Sequence, residues 1–325
     1  MCVNDESSMQ ALDNYHVENL NPNMGYFFQF GKVLYEGHTK FQKIEVLESE
    51  QFGRVLRLDN VFQTSEWDEF LYHEPLVHVP SITHGAPENA LVIGGGDGGA
   101  IREFLKYPSL KTVTMIELDE EVVDVSRKYI PSISDGAFES KKLKLAFEDG
   151  IAFIKKSPEK YDVIMLDLTD PFGPSIELYT KEFYTIISDH LTPKGILSLH
   201  IESPISRPHL FSRLYWTLKS VFPIVRPMTN YVPMYGTLWG YGTASHASDP
   251  LALTKEEISR RLSQHGIENL RYYNPSTHFG LLSLPGYLEK RLETPAQIIR
   301  SGEVLIDRTS NPGTWNICFT PEEGK

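Results

Sequence analysis

Apolar and polar positions along the chain follow two regimes. From Tyr26 to about Thr64, aromatic and β-branched runs alternate with short breaks. Gln29–Glu36, Lys40–Leu47 and Arg54–Asp59 read as strands, with Gly37, Gly53 and the Asp59-Asn60 pair as punctuation. These runs predict a small antiparallel sheet. Glu66–Val79 predicts a helix whose apolar side carries Trp67, Phe70, Leu71, Leu76 and Val77, with Pro80 helping to end it.

From Asn89 the pattern becomes strand, helix, strand. Ala90–Ile93, Thr112–Glu117, Leu143–Ala146, Tyr161–Leu166 and Gly195–His200 are short apolar runs. Helical patterns cover Ala100–Tyr107 and Glu120–Tyr129 between them. Alternation of this kind predicts a mostly parallel sheet covered on both faces, with ligands beyond the carboxyl ends of the strands. After Leu210 come an aromatic helix, a Gly/Tyr-rich segment (Tyr231–Thr243) and a helix from Thr254 to about His265; the Pro- and Ser-rich tail after Tyr272 carries only a weak pattern. Two units are expected, 1–84 and 85–325.

Composition narrows the partners. The 325 residues carry a net charge of −12, which argues against a nucleic-acid binder and suits a cationic ligand. The two cysteines, Cys2 and Cys318, sit near the ends with no Cys-x-x-Cys, so a thiolate metal site is not expected. The acidic start lacks an apolar h-region, and no apolar run reaches membrane-spanning length. A cytoplasmic protein without nucleic-acid or membrane partners is expected, disordered only in its first fifteen residues and last few.

The unusual residues fall just after the strands. Gly94-Gly95-Gly96-Asp97-Gly98-Gly99 follows one strand and opens a helix, satisfying Gly-x-Gly-x-x-Gly, while Glu117 ends the next strand, where a ribose-binding acid belongs. Together they indicate a nucleotide or nucleoside ligand. Asp97 would repel a pyrophosphate and welcome a sulfonium or an amine, which favours an adenosylmethionine-type ligand over a dinucleotide. Asp149, in Glu148-Asp149-Gly150, is placed to accept from an adenine amino group. Asp167-Leu168-Thr169-Asp170 follows a strand of apolar residues. Two carboxylates three apart are commonly a turn or cap. Several acids at one mouth, however, repel each other unless a cation binds.

These motifs, with Val61–Glu74 upstream and Leu178–Tyr184 downstream, resemble the spermidine synthase family of polyamine aminopropyltransferases from about Phe30 to about Ser245. The resemblance implies a Rossmann-like, methyltransferase-type α/β sheet behind a small N-terminal antiparallel β domain. It implies transfer of an aminopropyl group from decarboxylated S-adenosylmethionine, a co-substrate, with no cofactor and no metal. Asp167 would accept the proton, with Tyr72 hydrogen-bonded near it. Gln42, Gly94, Gly96, Asp97, Glu117, Asp149, Gly150 and Pro174 would line the donor side. His73, Asp97, Asp167 and Asp170 would hold amines, with Gln63, Tyr235 and Trp239 as walls. A homodimer or homotetramer is expected. Leu168-Thr169, Pro233–Gly240 and His200–Pro204 depart from the usual family pattern on the acceptor side, leaving putrescine, agmatine or a longer polyamine open as acceptor. The alternatives are a methyltransferase on the same fold and a catalytically silent paralogue.

Overall fold

In the computed structural model, which describes residues 15–303, the chain begins with two antiparallel sheets. Strands β1 (Tyr15–Asn21) and β2 (Met24–Gln29) form a hairpin; β3 (Lys32–His38), β4 (Lys43–Ser49), β5 (Gly53–Leu58) and β6 (Val61–Ser65) form a four-stranded sheet in sequential order. Strand therefore begins earlier than the sequence pattern indicates, at Tyr15. Alternation along β4 and β5 serves two cores. Ile44, Val46, Leu56 and Leu58 face Val122, Val125 and Ile133, while Leu47 and Val55 face Phe30, Phe52, Phe62 and Met234. Asp59 and Asn60, at φ 46° and 68°, close the β5–β6 hairpin in the left-handed conformation such tight turns require. The expected disorder at both termini and the two cysteines lie outside the described residues, apart from Tyr15.

Helix α1 spans Phe70–His84 and runs straight through Pro75 and Pro80. It starts later than the apolar pattern suggests, because Ser65 and Asp68 fold residues 65–69 into a turn: Ser65 Oγ donates to Asp68 Oδ1 at 2.6 Å. Pro80 does not end it. A proline inside a helix removes the bond to the carbonyl four residues back. The two carbonyls freed here are Leu71 O and Leu76 O, and the large sheet supplies substitutes. Asn230 Nδ2 donates to Leu71 O at 2.7 Å, with the Tyr241 hydroxyl 3.1 Å away, and Ser198 Oγ donates to Leu76 O at 2.8 Å. Helix α1 ends instead at Gly85, whose φ of 102° suits glycine and whose N–H reaches Ser81 O.

The large sheet contains β7 (Asn89–Gly94), β8 (Thr112–Glu117), β9 (Leu143–Phe147), β10 (Tyr161–Asp167), β11 (Leu191–His200), β12 (Ile224–Val232) and β13 (Thr237–Ser245), in the order β12-β13-β11-β10-β7-β8-β9. Strands β7 to β11 are parallel, while the β12–β13 hairpin adds antiparallel strands at one edge and absorbs the Gly/Tyr-rich segment. Alternate residues of the apolar strands feed opposite faces. Val92, Met115 and Met165 pack with Leu76, Val77 and Ile82 of α1. Leu91, Ile93, Ile164 and Leu166 pack instead with Phe183 and Ile187 of the helix Lys181–Asp189 and with Phe211 and Leu214 of the helix Pro208–Lys219. Helices Gly99–Leu105, Glu120–Tyr129 and Gly150–Lys156 complete the layers. After Lys255–His265 the weakly patterned tail folds as Pro275–Leu282 and Gly286–Glu293. Its Pro and Ser residues form a helix start: Asn274 caps Ser276 and Thr277 in a capping box, with Pro275 at the first helical position. No helix among the described residues is long and apolar enough to cross a membrane.

Ser198→Ala leaves a buried carbonyl of α1 without its donor. Unfolding in urea should show a stability loss of about 1–3 kcal/mol, the usual cost of an unsatisfied buried polar group. An unchanged midpoint would mean that Leu76 O is satisfied some other way.

Candidate active site

Strand order reverses between β7 and β10, and there the last residues of the two strands, Gly94 and Asp167, are register partners. This is the switch point of an open parallel sheet, the place where such folds leave a crevice. The contact is tight. Gly94 has φ 85°, and a Cβ on it would fall onto the carbonyl oxygen of Asp167. Gly95, at φ 80°, donates its N–H to that same carbonyl at 3.0 Å. A Cβ at Gly99 would run into the ring of His73. Glycine is thus required for close approach of backbone to site, beyond any role toward a ligand.

Asp167, itself partly buried, is the centre of a charge network in which His73 and Glu69 are buried. The Tyr72 hydroxyl, from the first turn of α1, donates to Asp167 Oδ1 at 3.0 Å. His73, the next residue, sits between two acids, with Nδ1 2.8 Å from Glu69 Oε2 and Nε2 3.5 Å from Asp97 Oδ1. Arg102 Nη2 pairs with Glu69 at 2.7 Å, and Gly99 N–H donates to Asp97 Oδ1 at 2.8 Å. Burial alone would lower the His73 pKa, but Asp97 and Glu69 outweigh it and hold the ring well above its ordinary value. Burial would likewise raise Asp97, but His73, the Gly99 N–H and Arg102 bring it below the ordinary carboxyl range. Asp167 receives less help: burial pushes it up to about 6, Asp97 adds to that, and His73 and the Tyr72 hydroxyl only partly oppose it. Two acids side by side therefore titrate apart, as catalytic carboxyl pairs do.

The expected donor-side residues converge on the ends of β8 and β9. Glu117 Oε1 accepts from the N–H groups of Leu118 (2.8 Å) and Asp119 (3.0 Å), while burial raises the carboxyl to about 7. A Cβ at Gly96 would crowd Glu117 and Val122. Gln42 reaches the same place from the β3–β4 turn, donating to Asp119 Oδ2 at 3.1 Å beside Thr39, whose hydroxyl donates to that oxygen at 2.7 Å. Asp149 caps the helix Gly150–Lys156 through Ala152 N–H at 2.6 Å, and Gly150 packs directly on Ile93. The Pro174 side chain lies outside the described residues.

On the other side, aromatic rings form a continuous wall. Tyr72 and Tyr235 have centroids 6.0 Å apart, Tyr235 and Trp239 4.8 Å, and Trp239 stacks on His200 at 5.6 Å. Tyr235 donates to the backbone of Gln63 at 2.8 Å, while the Gln63 amide folds back on Val61 O. His200 Nε2 lies 3.1 Å from Leu168 O, which only accepts, so that nitrogen carries the proton. It also meets the Tyr179 hydroxyl at 2.5 Å. His200 Nδ1 is then an acceptor, buried without a partner. Asp170 is held in an ion pair: Arg207 Nη1 donates to its Oδ2 at 2.6 Å and to Glu202 at 3.1 Å. Glu202 is fully buried, and its carboxyl is raised to about 8 by burial and by Asp170 against the pull of Arg207.

Sequence reasoning assigned no role to Glu69, Arg102, Arg207 or Glu202. Glu69 carried a signal, its spacing of four from His73 on a helical stretch. Arg207 carried none. Donor atoms of His73, Asp97 and Asp167, and of Asp170, His200 and Glu202, lie within 4.8 Å of one another, near enough to share an ion, but both sets are engaged in the hydrogen bonds just described. A cleft of about 600 Å³ behind Glu69 and Arg102 has neither Asp97 nor Asp167 in its wall.

These features place the chain among Rossmann-like α/β enzymes with an acidic mouth. Residues 69–254 match the family model described as spermine/spermidine synthase domain, and residues 15–66 match the spermidine synthase tetramerisation domain. The polyamine aminopropyltransferase of Nitrosomonas europaea is 46% identical over 306 residues, 94% of each chain. That of Caldicellulosiruptor saccharolyticus is 37% identical over 88% of this chain and 100% of its own. A spermidine synthase crystallised with the transition-state analogue AdoDATO superposes with a TM-score of 0.80 at 33% identity, covering 86% of this chain and 94% of that one. The Thermotoga maritima spermidine synthase gives 0.78 at 32% identity over the same shares. The chain belongs to the spermine/spermidine synthase family of polyamine aminopropyltransferases.

Because the Asp167 carboxyl titrates near 6 in the fold and near 3.8 as an ordinary carboxyl, its ionised form costs stability, fully above about pH 6 and not at all below pH 3.8. Asp167→Asn is therefore expected to raise the melting temperature at pH 8 and to lose that advantage toward pH 4. A variant less stable than wild type at pH 8 would contradict this account of the carboxyl's burial.

Proposed function

We propose that this protein moves the 3-aminopropyl group of decarboxylated S-adenosylmethionine onto an amine and releases 5'-methylthioadenosine. The observation that carries the reading is the partly buried Asp167 carboxyl, held by Tyr72 beside Asp97 and raised to about 6. In the reaction, the amine nitrogen attacks the aminopropyl carbon next to sulfur. The C–N bond forms, the C–S bond breaks, and its electron pair leaves with a neutral thioether. The sulfonium is already an activated electrophile, so the chemistry asks for no metal.

The difficulty is the nucleophile. An ordinary aspartate lies about six pH units below an alkylammonium, too far to deprotonate it freely in water. Burial narrows that gap from the carboxyl side, and the neighbouring sulfonium narrows it from the amine side. Asp167 thus orients the amine in line with the C–S bond and takes its proton, with Tyr72 fixing the carboxyl; positioning contributes as much as basicity. Asp97, steadied by His73, faces the cationic chain of the donor. Glu117 takes the ribose hydroxyls, with Gln42, Gly94 and Gly96 around the nucleoside, and Asp149, Gly150 and Pro174 border the adenine. Asp170, Gln63, Tyr235 and Trp239 form the amine pocket. The net charge of −12 draws cationic substrates toward this mouth.

The same reading makes the first 84 residues an assembly and cover unit and residues 85–325 the catalytic one, in a cytoplasmic homodimer or homotetramer. The exposed Tyr15, Phe27 and Val33 offer apolar surface for such an assembly.

Asp167→Asn should bind methylthioadenosine within about threefold of wild type while turnover falls by about 100-fold or more, the usual size of a lost general base. Calorimetry and a methylthioadenosine-release assay measure the two. Near-normal turnover removes Asp167 from the mechanism.

A further inference from the structure

The amine end of the site already contains a cation. Arg207 Nη1 donates to Asp170 Oδ2 at 2.6 Å and to both oxygens of Glu202 at 3.1 and 3.2 Å. Its Nε donates to Leu20 O at 3.2 Å, and its guanidinium lies 4.6 Å from the centre of the Phe172 ring. Arg207 is therefore fixed between the β1–β2 hairpin and the loop that carries Asp170. Resting on the aminopropyl-transfer reading above, we infer that Arg207 determines acceptor specificity, restricting the enzyme to plain diamines and rejecting acceptors that end in a guanidinium or carry a third ammonium.

The argument is one of counting partners. A guanidinium is held well by two carboxylate oxygens in its plane and by an aromatic face. Asp170 and Glu202 offer carboxylate oxygens and Phe172 a ring face to such a group, and Arg207 already engages them through Nη1 and its guanidinium. A guanidino-amine or triamine reaching this far would meet a like charge in place of a counterion, and rejection on those grounds is strong in a desolvated site. The remaining acids give little relief. Glu202 is fully buried and already accepts from Arg207 through both oxygens, and Glu18 is engaged by the Phe62 N–H at 2.7 Å. Two acceptors stay open: Asp170 Oδ1, which has no hydrogen-bond partner among the described residues, and the buried His200 Nδ1. One ring nitrogen of His200 and one carboxylate oxygen of Asp170 lie within 4.8 Å, so the two side chains face the same space. That suits the single distal ammonium of a diamine whose other nitrogen reacts at Asp167.

The test is an acceptor profile. With decarboxylated S-adenosylmethionine as donor, kcat/KM is measured for putrescine, agmatine and spermidine by methylthioadenosine release, in wild type and in Arg207→Ala and Arg207→Lys. Wild type is expected to favour putrescine over each of the others by about tenfold or more. Arg207→Ala should raise the agmatine-to-putrescine or spermidine-to-putrescine ratio by about tenfold or more, with the donor KM and methylthioadenosine affinity near wild type. Arg207→Lys keeps the charge without the fork and should fall between. A purely structural role for Arg207 would lower all three acceptors together and leave the ratios alone. Wild-type preference for agmatine or spermidine, or unchanged ratios in a folded variant, overturns the inference while leaving aminopropyl transfer intact. Should Arg207→Ala not fold, the wild-type profile and the Arg207→Lys ratios decide it. Absence of methylthioadenosine release with every acceptor overturns the reading of the reaction and this inference with it.

Discussion

Two partly buried carboxylates, Asp97 and Asp167, share one network, and the rest of the site is arranged around their mutual repulsion. Neither could lose its water without a compensating charge. The compensation is unequal. His73 faces Asp97, and Glu69 behind it helps keep the ring charged while itself pairing with Arg102. Asp167 has a hydroxyl and a more distant cation. One acid is thereby fixed as an anion and the other left near its titration point. This division of labour suits a cationic donor on one side and an amine that must lose a proton on the other.

The constraint reaches into the backbone. For Asp167 to stand at the sheet's switch point, β7 must end in a residue without a side chain, and Gly94 meets that need. For His73 to reach Asp97, the turn beside it must be glycine as well, at Gly99. The N-terminal sheets then close the mouth from outside. Gln42 and Thr39 are tied to Asp119 beyond the end of β8, and Leu20 is tied to Arg207 beside Asp170. These bonds tie the N-terminal strands to the large domain at both ends of the crevice.

Much of this was legible in the chain. The apolar runs of β7, β8 and β10 are buried on both faces, so their hydrophobic signal was unbroken, and the acids stood out because they came directly after those runs. Glycine beside Asp97 was readable for the same reason. What escaped depends on residues brought together across long separations. Arg207 pairs with Asp170 from 37 positions away, and a lone arginine before a helix announces nothing. The β1–β2 hairpin is half exposed, so its alternation was blurred. Pro80 was misread as a stop because its remedy, Ser198, lies 122 residues downstream.

That remedy has a bearing on how the molecule comes into being. Helix α1 carries Tyr72 and His73, yet two of its backbone acceptors are satisfied only by β11, β12 and β13. With two internal prolines it is a poor candidate to nucleate alone. Its completion is tied to contacts 122 to 170 residues distant, which places it among the late, non-local events of folding. An unfinished sheet therefore leaves Tyr72 and His73 unpositioned toward Asp167 and Asp97, so the two sides of the acidic mouth come together only as the sheet does.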